Sequence, residues 1–275
     1  MAGGGDTRRV GPLLWSYALF VYAFLYLPIL VIFVLSFNDN RLLGLPFTGF
    51  TTQWYAEVFA NPALRQAILN SLTVGLMTAV IAPALALGLA LAMRLGLPGP
   101  GVVLNLVILP LVVPAIVSGI VLFIFFALLE IRPGLLRTAL PAHVLWALPF
   151  AYLNIQPRLN NFDRSFEEAA ADLGATPWQT FRLVLFPLIR PGVIAAALFS
   201  FSLSFDEFIR TLFLSGPDRT LPIQFWFMIL ESVSPELPAL AVVIIAIPML
   251  ASLAGFLVNQ RGPDRRGGGG RGGDR

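Results

Sequence analysis

Six apolar stretches, each separated from the next by a polar or glycine-rich break, are long enough to cross a bilayer. About 20 residues of helix span a hydrocarbon core about 30 Å thick. The first stretch, Leu13 to Phe37, contains Pro28, which predicts a kink. It is too long for a signal-peptide core and lacks a small-x-small cleavage site, so it reads as an uncleaved span. The others run about Ala67 to Met93, Val102 to Leu129, Ala139 to Ile155, Pro191 to Leu214 and Leu237 to Val258. This pattern predicts an all-α polytopic membrane protein with six transmembrane helices. Residues 1–12 and 259–275, rich in Gly and Arg, read as disordered cytoplasmic tails around a six-span transmembrane domain at 13–258.

The breaks carry local signals. Gly49 to Tyr55 holds Trp54 and Tyr55, residue types that favour a membrane interface. Ile223 to Ser232 reads as an amphipathic helix at the outer face. Pro110 and Pro114 fall inside the third stretch. A proline in a span frees a carbonyl that neighbours or water must satisfy, so these two mark either a solute path or a packing kink. His143, the one histidine, lies near an end of the fourth stretch and reads as an interfacial or packed side chain in preference to a proton relay.

The loop at 157–190 is polar, capped and helical in pattern. Ser165 stands three residues before Glu168, which predicts a capping box and a helix start. Gly174 is the natural left-handed stop. Thr176 stands three residues before Gln179 with Pro177 between them, which predicts a second short helix. Pro187 is expected to end it.

Composition narrows the chemistry. Of 275 residues, 57% are hydrophobic and 12% charged, as in a membrane protein. There is no cysteine, hence no thiolate metal site and no cysteine nucleophile. All 18 basic residues are arginine. Without lysine there is no phosphate-binding P-loop, so any ATP must be hydrolysed by another chain. No catalytic or metal-binding constellation is present in the sequence, and no cofactor is expected in this chain. The net charge of +3 comes largely from arginines flanking the spans, which argues for membrane orientation and against nucleic acid. Arg8, Arg9, Arg94, Arg158, Arg164, Arg182, Arg190 and the tail arginines fall on one side of a six-span chain. Arg41, Arg65, Arg132, Arg137 and Arg219 fall on the other, so the positive-inside rule puts both termini and the 157–190 loop in the cytoplasm.

The fifth stretch holds two acids, Asp206 and Glu207, with Arg210 beyond them. On one continuous helix, Ser200, Ser204, Glu207 and Thr211 fall within roughly 60° of each other. Asp206 and Arg210 are spaced to pair at i, i+4. A charge at bilayer depth costs about 2.5–3.5 kcal/mol on insertion scales, so these acids should face protein or a water-filled cavity. They either line a solute path or fix packing.

The central loop also carries a resemblance. Glu168-Ala169-Ala170, Gly174 and Val184-Leu185-Phe186-Pro187 resemble the EAA loop of ABC importer permeases, with Val184 and Phe186 in place of the usual Ile and Leu. In that family the loop docks on the ATPase subunit, which implies coupling roles for Glu168, Ala169, Ala170, Gly174 and Pro187. Further segments are similar, in order, to the spermidine/putrescine-type permeases: Phe50-Thr51-Thr52 with Trp54-Tyr55, Leu148-Pro149-Phe150, Ser204 to Glu207, Ser215-Gly216-Pro217, Thr220-Leu221-Pro222 and Ser234-Pro235-Glu236. Many of those proteins carry an acid after the third-span proline, where this chain has Ala115.

The resemblance implies a type I ABC importer permease bundle in a bacterial inner membrane, as the second permease of a pair. Its implied partners are an ATPase dimer that binds ATP and magnesium, a second permease, an extracytoplasmic binding protein and membrane lipid. Its implied solutes are polyamines or related cationic amines, with opines or amino-acid-like compounds as the alternative. Ser200, Ser204, Asp206, Glu207, Thr211 and Trp54 are the candidate path residues. An ion-coupled secondary transporter is the rival from another class; it would leave the capped loop unexplained and predicts internal repeats that the sequence does not show. A non-transporting scaffold is a third reading, which the acids of the fifth span oppose.

Overall fold

The computed structural model describes residues 7–40, 44, 46–96, 98–231 and 234–260. The expected tails at 1–6 and 261–275 lie outside them. Residues 7–12 and 259–260 are helical, however, so the first and last helices are longer than the hydropathy pattern indicates.

Twelve α-helices occur among the described residues. They are α1 (Thr7–Leu35), α2 (Gln53–Ala60), α3 (Pro62–Arg94), α4 (Pro100–Val112), α5 (Ala115–Leu128) and α6 (Leu140–Asn160). Then follow α7 (Ser165–Asp172), α8 (Pro177–Thr180), α9 (Phe186–Phe205), α10 (Ile209–Leu214), α11 (Leu221–Glu231) and α12 (Leu237–Gln260). The all-α expectation holds.

Among the described residues, four unbroken helical runs are long and apolar enough to cross a membrane: Leu14–Leu35, Pro62–Arg94, Pro177–Phe205 and Leu237–Leu257. The third expected span is instead two helices, α4 and α5, bent by 109°. The cause is local. Pro114 has no N–H to donate, and it forces Val113 out of helical geometry to φ −78°, ψ 124°. The sixth segment, α6, is too polar to qualify by composition. It packs extensively on α9 and buries His143, Ala147, Ala151, Tyr152, Ile155 and Leu159, so protein rather than lipid surrounds much of its surface. The count of six spans is therefore approximate.

Pro187, expected to end a helix, does not, and Pro141 is likewise accommodated. A π-helical turn at Leu135–Ala139 leads into α6, and another at Phe181–Leu185 leads into α9. Pro141 and Pro187 each stand two residues beyond such a turn. The wider turn shifts the hydrogen-bond register ahead of a residue that cannot donate. As a result α8, the π turn and α9 form one helical run through Pro187, whereas the sequence pattern ends the helix there. α1 likewise runs through Pro28 without leaving helical structure.

The chain divides into two compact units. One contains the described residues up to Arg65 with those of 224–245; the other contains 66–223 and the described residues from Ala246 onward. In the first unit, Phe37 stacks on Phe50 with ring centroids 4.9 Å apart, and Ser36 shares a 2.6 Å hydrogen bond with the Tyr55 hydroxyl. The Trp54 indole donates to the Asn38 carbonyl at 2.8 Å. These contacts seat α2 against the end of α1. Trp54 is buried by them, with its N–H engaged, and presents no donor to a solute.

Candidate functional site

The fifth span is broken where its acids lie. α9 ends at Phe205 and α10 begins at Ile209. Glu207 holds the break together. One of its carboxylate oxygens accepts from the Arg210 backbone N–H at 2.9 Å, capping the first turn of α10. The other accepts from the Arg210 guanidinium at 2.7 Å. That guanidinium also stacks over the Trp146 ring, 4.1 Å from its centroid. Both charges are nearly buried, at 4% and 8% side-chain exposure, so each depends on the other for neutralisation.

The expected Asp206–Arg210 pair is therefore not formed. An i, i+4 pair requires an unbroken helix, and the break re-aims Arg210 onto Glu207. Asp206 is exposed, and no ion pair or hydrogen bond engages its carboxylate among the described residues.

The expected polar stripe is also redirected. Ser200, Ser204 and Thr211 are buried within the chain, at 0%, 4% and 0% exposure. They are absent from its exposed surface. Ser204, in the last turn of α9, and Thr211, in α10, converge on His143 of α6. His143 Nδ1 lies 2.7 Å from Ser204 Oγ, and Nε2 lies 2.7 Å from Thr211 Oγ1. Ser204 Oγ also reaches Thr78 Oγ1 of α3 at 3.2 Å. The packed reading of His143 is the one the geometry matches, while Ser200 Oγ is buried without a hydrogen-bond partner among the described residues.

The second broken span packs on the first. α5 lies along α10, and the approach is close at Gly119. A Cβ at Gly119 would sit 2.8 Å from the Phe213 ring and 3.5 Å from the Arg210 Cα. Discontinuous helices expose backbone polar groups at membrane depth and are tolerated where protein or a watered cavity satisfies them.

The central loop forms a helix, a bend and a helix. The predicted Ser165–Glu168 capping box is not made; Asp163 accepts the Ser165 N–H at 3.0 Å instead. Hydrogen bonds from the Ser165 backbone and hydroxyl hold the Asp163 carboxyl below the usual carboxylate range. Gly174 adopts φ +82°. Its N–H donates to Ala171 O at 2.8 Å, and the Ala175 N–H donates to Ala170 O at 3.0 Å, which is a Schellman stop. The Thr176–Gln179 capping box forms as predicted, with Pro177 in the first turn.

Glu168, Ala169, Gly174 and Pro187 are exposed, and Ala170 is half-buried. Leu173 and Trp178 are 89% and 64% exposed, a large apolar surface for a polar loop. The loop is fastened by a residue the sequence pattern did not single out. Glu167 accepts from Arg94 Nη1 at 2.9 Å, and Arg94 Nη2 lies 2.9 Å from its other oxygen, without the angle of a hydrogen bond. Arg94 also lies over the Phe162 ring, 5.2 Å from its centroid. Beside this pair a groove of about 720 Å³ opens between the end of α3 and α7–α8, walled by Leu91, Leu95, Trp178 and Phe181.

Comparison with known proteins places this geometry. Residues 84–261 match the family described as binding-protein-dependent transport system inner membrane component. The spermidine/putrescine transport system permease protein PotC of Escherichia coli is 35% identical over 240 residues, covering 86% of this chain and 90% of PotC. The putrescine transport system permease protein PotI of Escherichia coli is 33% identical over 246 residues, covering 86% and 87%. Among solved structures, a chain of a bacterial ABC transporter that imports the acidic polysaccharide alginate aligns with a TM-score of 0.72. That alignment covers 93% of this chain and 97% of the other at 14% identity. A chain of the inward-facing MetNI methionine ABC transporter aligns with a TM-score of 0.60 over 74% and 97%, at 18% identity. The fold is thus that of ABC importer permeases, and the relatives are transport subunits rather than enzymes.

Proposed function

The chain belongs to the family of binding-protein-dependent transport system inner membrane components, and from that premise we propose that it is a permease subunit of an ATP-driven importer of polyamines or related cationic amines. The observation that carries the reading is mechanical continuity. From Pro177 to Phe205 the chain is one helical run, and it ends beside the exposed carboxylate of Asp206. At about 1.5 Å per residue the run is about 40 Å long. Motion of the coupling loop at one end is delivered to an acid at the other.

The steps follow from that geometry. An extracytoplasmic binding protein releases the cation into a path formed with a second permease. Asp206 offsets part of the cation's lost hydration, in competition with screening by cavity water. An ATPase dimer, which binds ATP and magnesium, grips the exposed face around Glu168, Ala169, Leu173 and Trp178. Gly174 lets α7 and α8 fold back into one docking surface. When the ATPases close, α8 moves, α9 follows, and the break at 206–208 changes access to Asp206. This arrangement needs both termini and the central loop in the cytoplasm, as the arginine distribution supports.

Glu207 serves the path indirectly, because its charge is already matched by Arg210. One free carboxylate suits one ammonium group, so the second permease supplies the rest of a polyamine site. Competition of labelled spermidine uptake by putrescine, by an opine and by a neutral amino acid tests the solute class. Inhibition by the diamine alone supports amines; inhibition by the opine alone favours the other solute class.

A further inference from the structure

We infer that His143 is a positioning residue that clamps both halves of the broken fifth span and thereby fixes where Asp206 points. The inference rests on the reading of Asp206 as a solute contact. It concerns what holds that carboxylate in place.

A helix that stops at Phe205 and restarts at Ile209 has no continuous backbone ladder to set the angle between its halves. Across the break, Glu207 N–H reaches only Ser204 O, at 3.4 Å, and Asp206 N–H reaches Ser202 O at 3.2 Å. Both bonds belong to the end of α9 and do not hold α10. Glu207 caps α10 from within the break, so it travels with α10. α5 and Trp146 brace α10 from outside, and the imidazole bonds directly to both halves. Its two nitrogens sit on opposite sides of a rigid ring, and each meets a hydroxyl from a different half at 2.7 Å. His143 is 1% exposed, so water does not compete for either bond.

The protons fit this role. The Thr211 hydroxyl donates to the Glu207 carbonyl at 2.7 Å, so its oxygen is left to accept from His143 Nε2–H. A neutral ring with its proton on Nε2 has an acceptor at Nδ1. The Ser204 hydroxyl has two acceptors in reach, Nδ1 at 2.7 Å and Thr78 Oγ1 at 3.2 Å, and the shorter contact takes its proton. The clamp is therefore directional and fully paired while uncharged. It is also anchored: α6 packs on α9 along its length, and Trp146, one helical turn after His143, carries Arg210.

Three variants of the assembled complex test this. His143→Leu keeps a side chain of similar bulk and removes both bonds. The triple variant His143→Leu, Ser204→Ala, Thr211→Val also removes the hydroxyls left unpaired, so the burial cost is relieved while the clamp stays absent. His143→Gln retains one donor and one acceptor. The expected result is a KM for amine uptake raised about tenfold in both His143→Leu and the triple variant. Maximal rate and basal ATP hydrolysis per assembled complex should change much less, and His143→Gln should recover part of the affinity. Spin labels on cysteines at Ala195 and Leu212, one on each half, should give a narrow distance distribution in the parent and a broad one in both clampless variants.

Normal KM in the triple variant would assign His143 a packing role only and overturn the inference. So would unchanged distances in all variants. Failure of the reading it rests on is separable: an unchanged KM in Asp206→Asn would remove Asp206 as the solute contact, whereas the label distances report the clamp whatever the solute touches.

Discussion

Arg94, the last residue of α3, grips Glu167, in the first turn of α7, with two N···O distances of 2.9 Å. The central loop is thereby fixed to the second span as well as continuous with the fifth. A loop that only covered the surface would need neither attachment. Their side chains are 12% and 29% exposed, so water screens the pair in part, and about 1 kcal/mol is a reasonable coupling energy. Glu167→Gln and Arg94→Gln should each lower amine uptake per ATP hydrolysed. The charge swap Arg94→Glu with Glu167→Arg should restore part of that ratio. Equal ratios in the parent and both single variants would show that the pair does not transmit force.

Gly174 sits at φ +82° with nothing within 4 Å of where a Cβ would stand. Any penalty for a side chain there is backbone strain alone, about 1–2 kcal/mol for an ordinary residue. Gly174→Val should reduce co-purification of the ATPase with tagged permease while membrane insertion is unchanged. Gly174→Asn, which tolerates the left-handed region, should co-purify nearly as the parent does. Loss of binding in Asn and Val alike would locate the requirement in surface shape instead of the bend.

The neighbouring acids should behave in opposite ways. Asp206→Asn should raise the KM for a cationic amine with assembly intact, because its carboxylate has no internal partner. Glu207→Gln should destabilise the permease by about 3–5 kcal/mol, since it leaves the Arg210 charge buried and unmatched. Uptake normalised to assembled complex, measured beside thermal unfolding, separates the two. A stable Glu207→Gln with impaired uptake would exchange their roles.

Orientation is checked on a chain without native cysteine. A cysteine at Gln179, exposed in α8, should react with an impermeant thiol reagent only from the cytoplasmic side. One at Thr52 should react only from outside. The reverse pattern would invert the topology.

What could be read from sequence, and what could not, divides by the range of the cause. The Gly174 stop and the Thr176–Gln179 box lie within five residues of each other and were legible. So was the all-helical class, because long apolar runs force backbone groups to pair within the segment. The break at 206–208 has no Gly or Pro to announce it. It arises where Glu207 caps α10 and where His143 and Trp146 of α6 hold the second half, contacts more than 60 residues away in sequence. Reading the span as one helix then assigned Arg210 to Asp206. Pro114 was visible, but not that the bend it permits would reach 109°. Pro187 misled because the preceding π turn, invisible to spacing rules, accommodates it. Ser165 lost its expected capping role to Asp163, a competitor two residues earlier.

On the proposed function, ATP hydrolysis on partner chains drives a cation through this permease. The most direct test uses the whole transporter, purified from its own membrane by a tag on this chain and placed in proteoliposomes. Labelled spermidine uptake is measured with ATP and magnesium enclosed, or with a proton or sodium gradient and no nucleotide. Uptake is expected only with enclosed ATP and with the binding protein outside, unaffected by an ionophore and reduced by Asp206→Asn. Uptake that runs on the gradient without ATP and collapses with the ionophore would contradict that function.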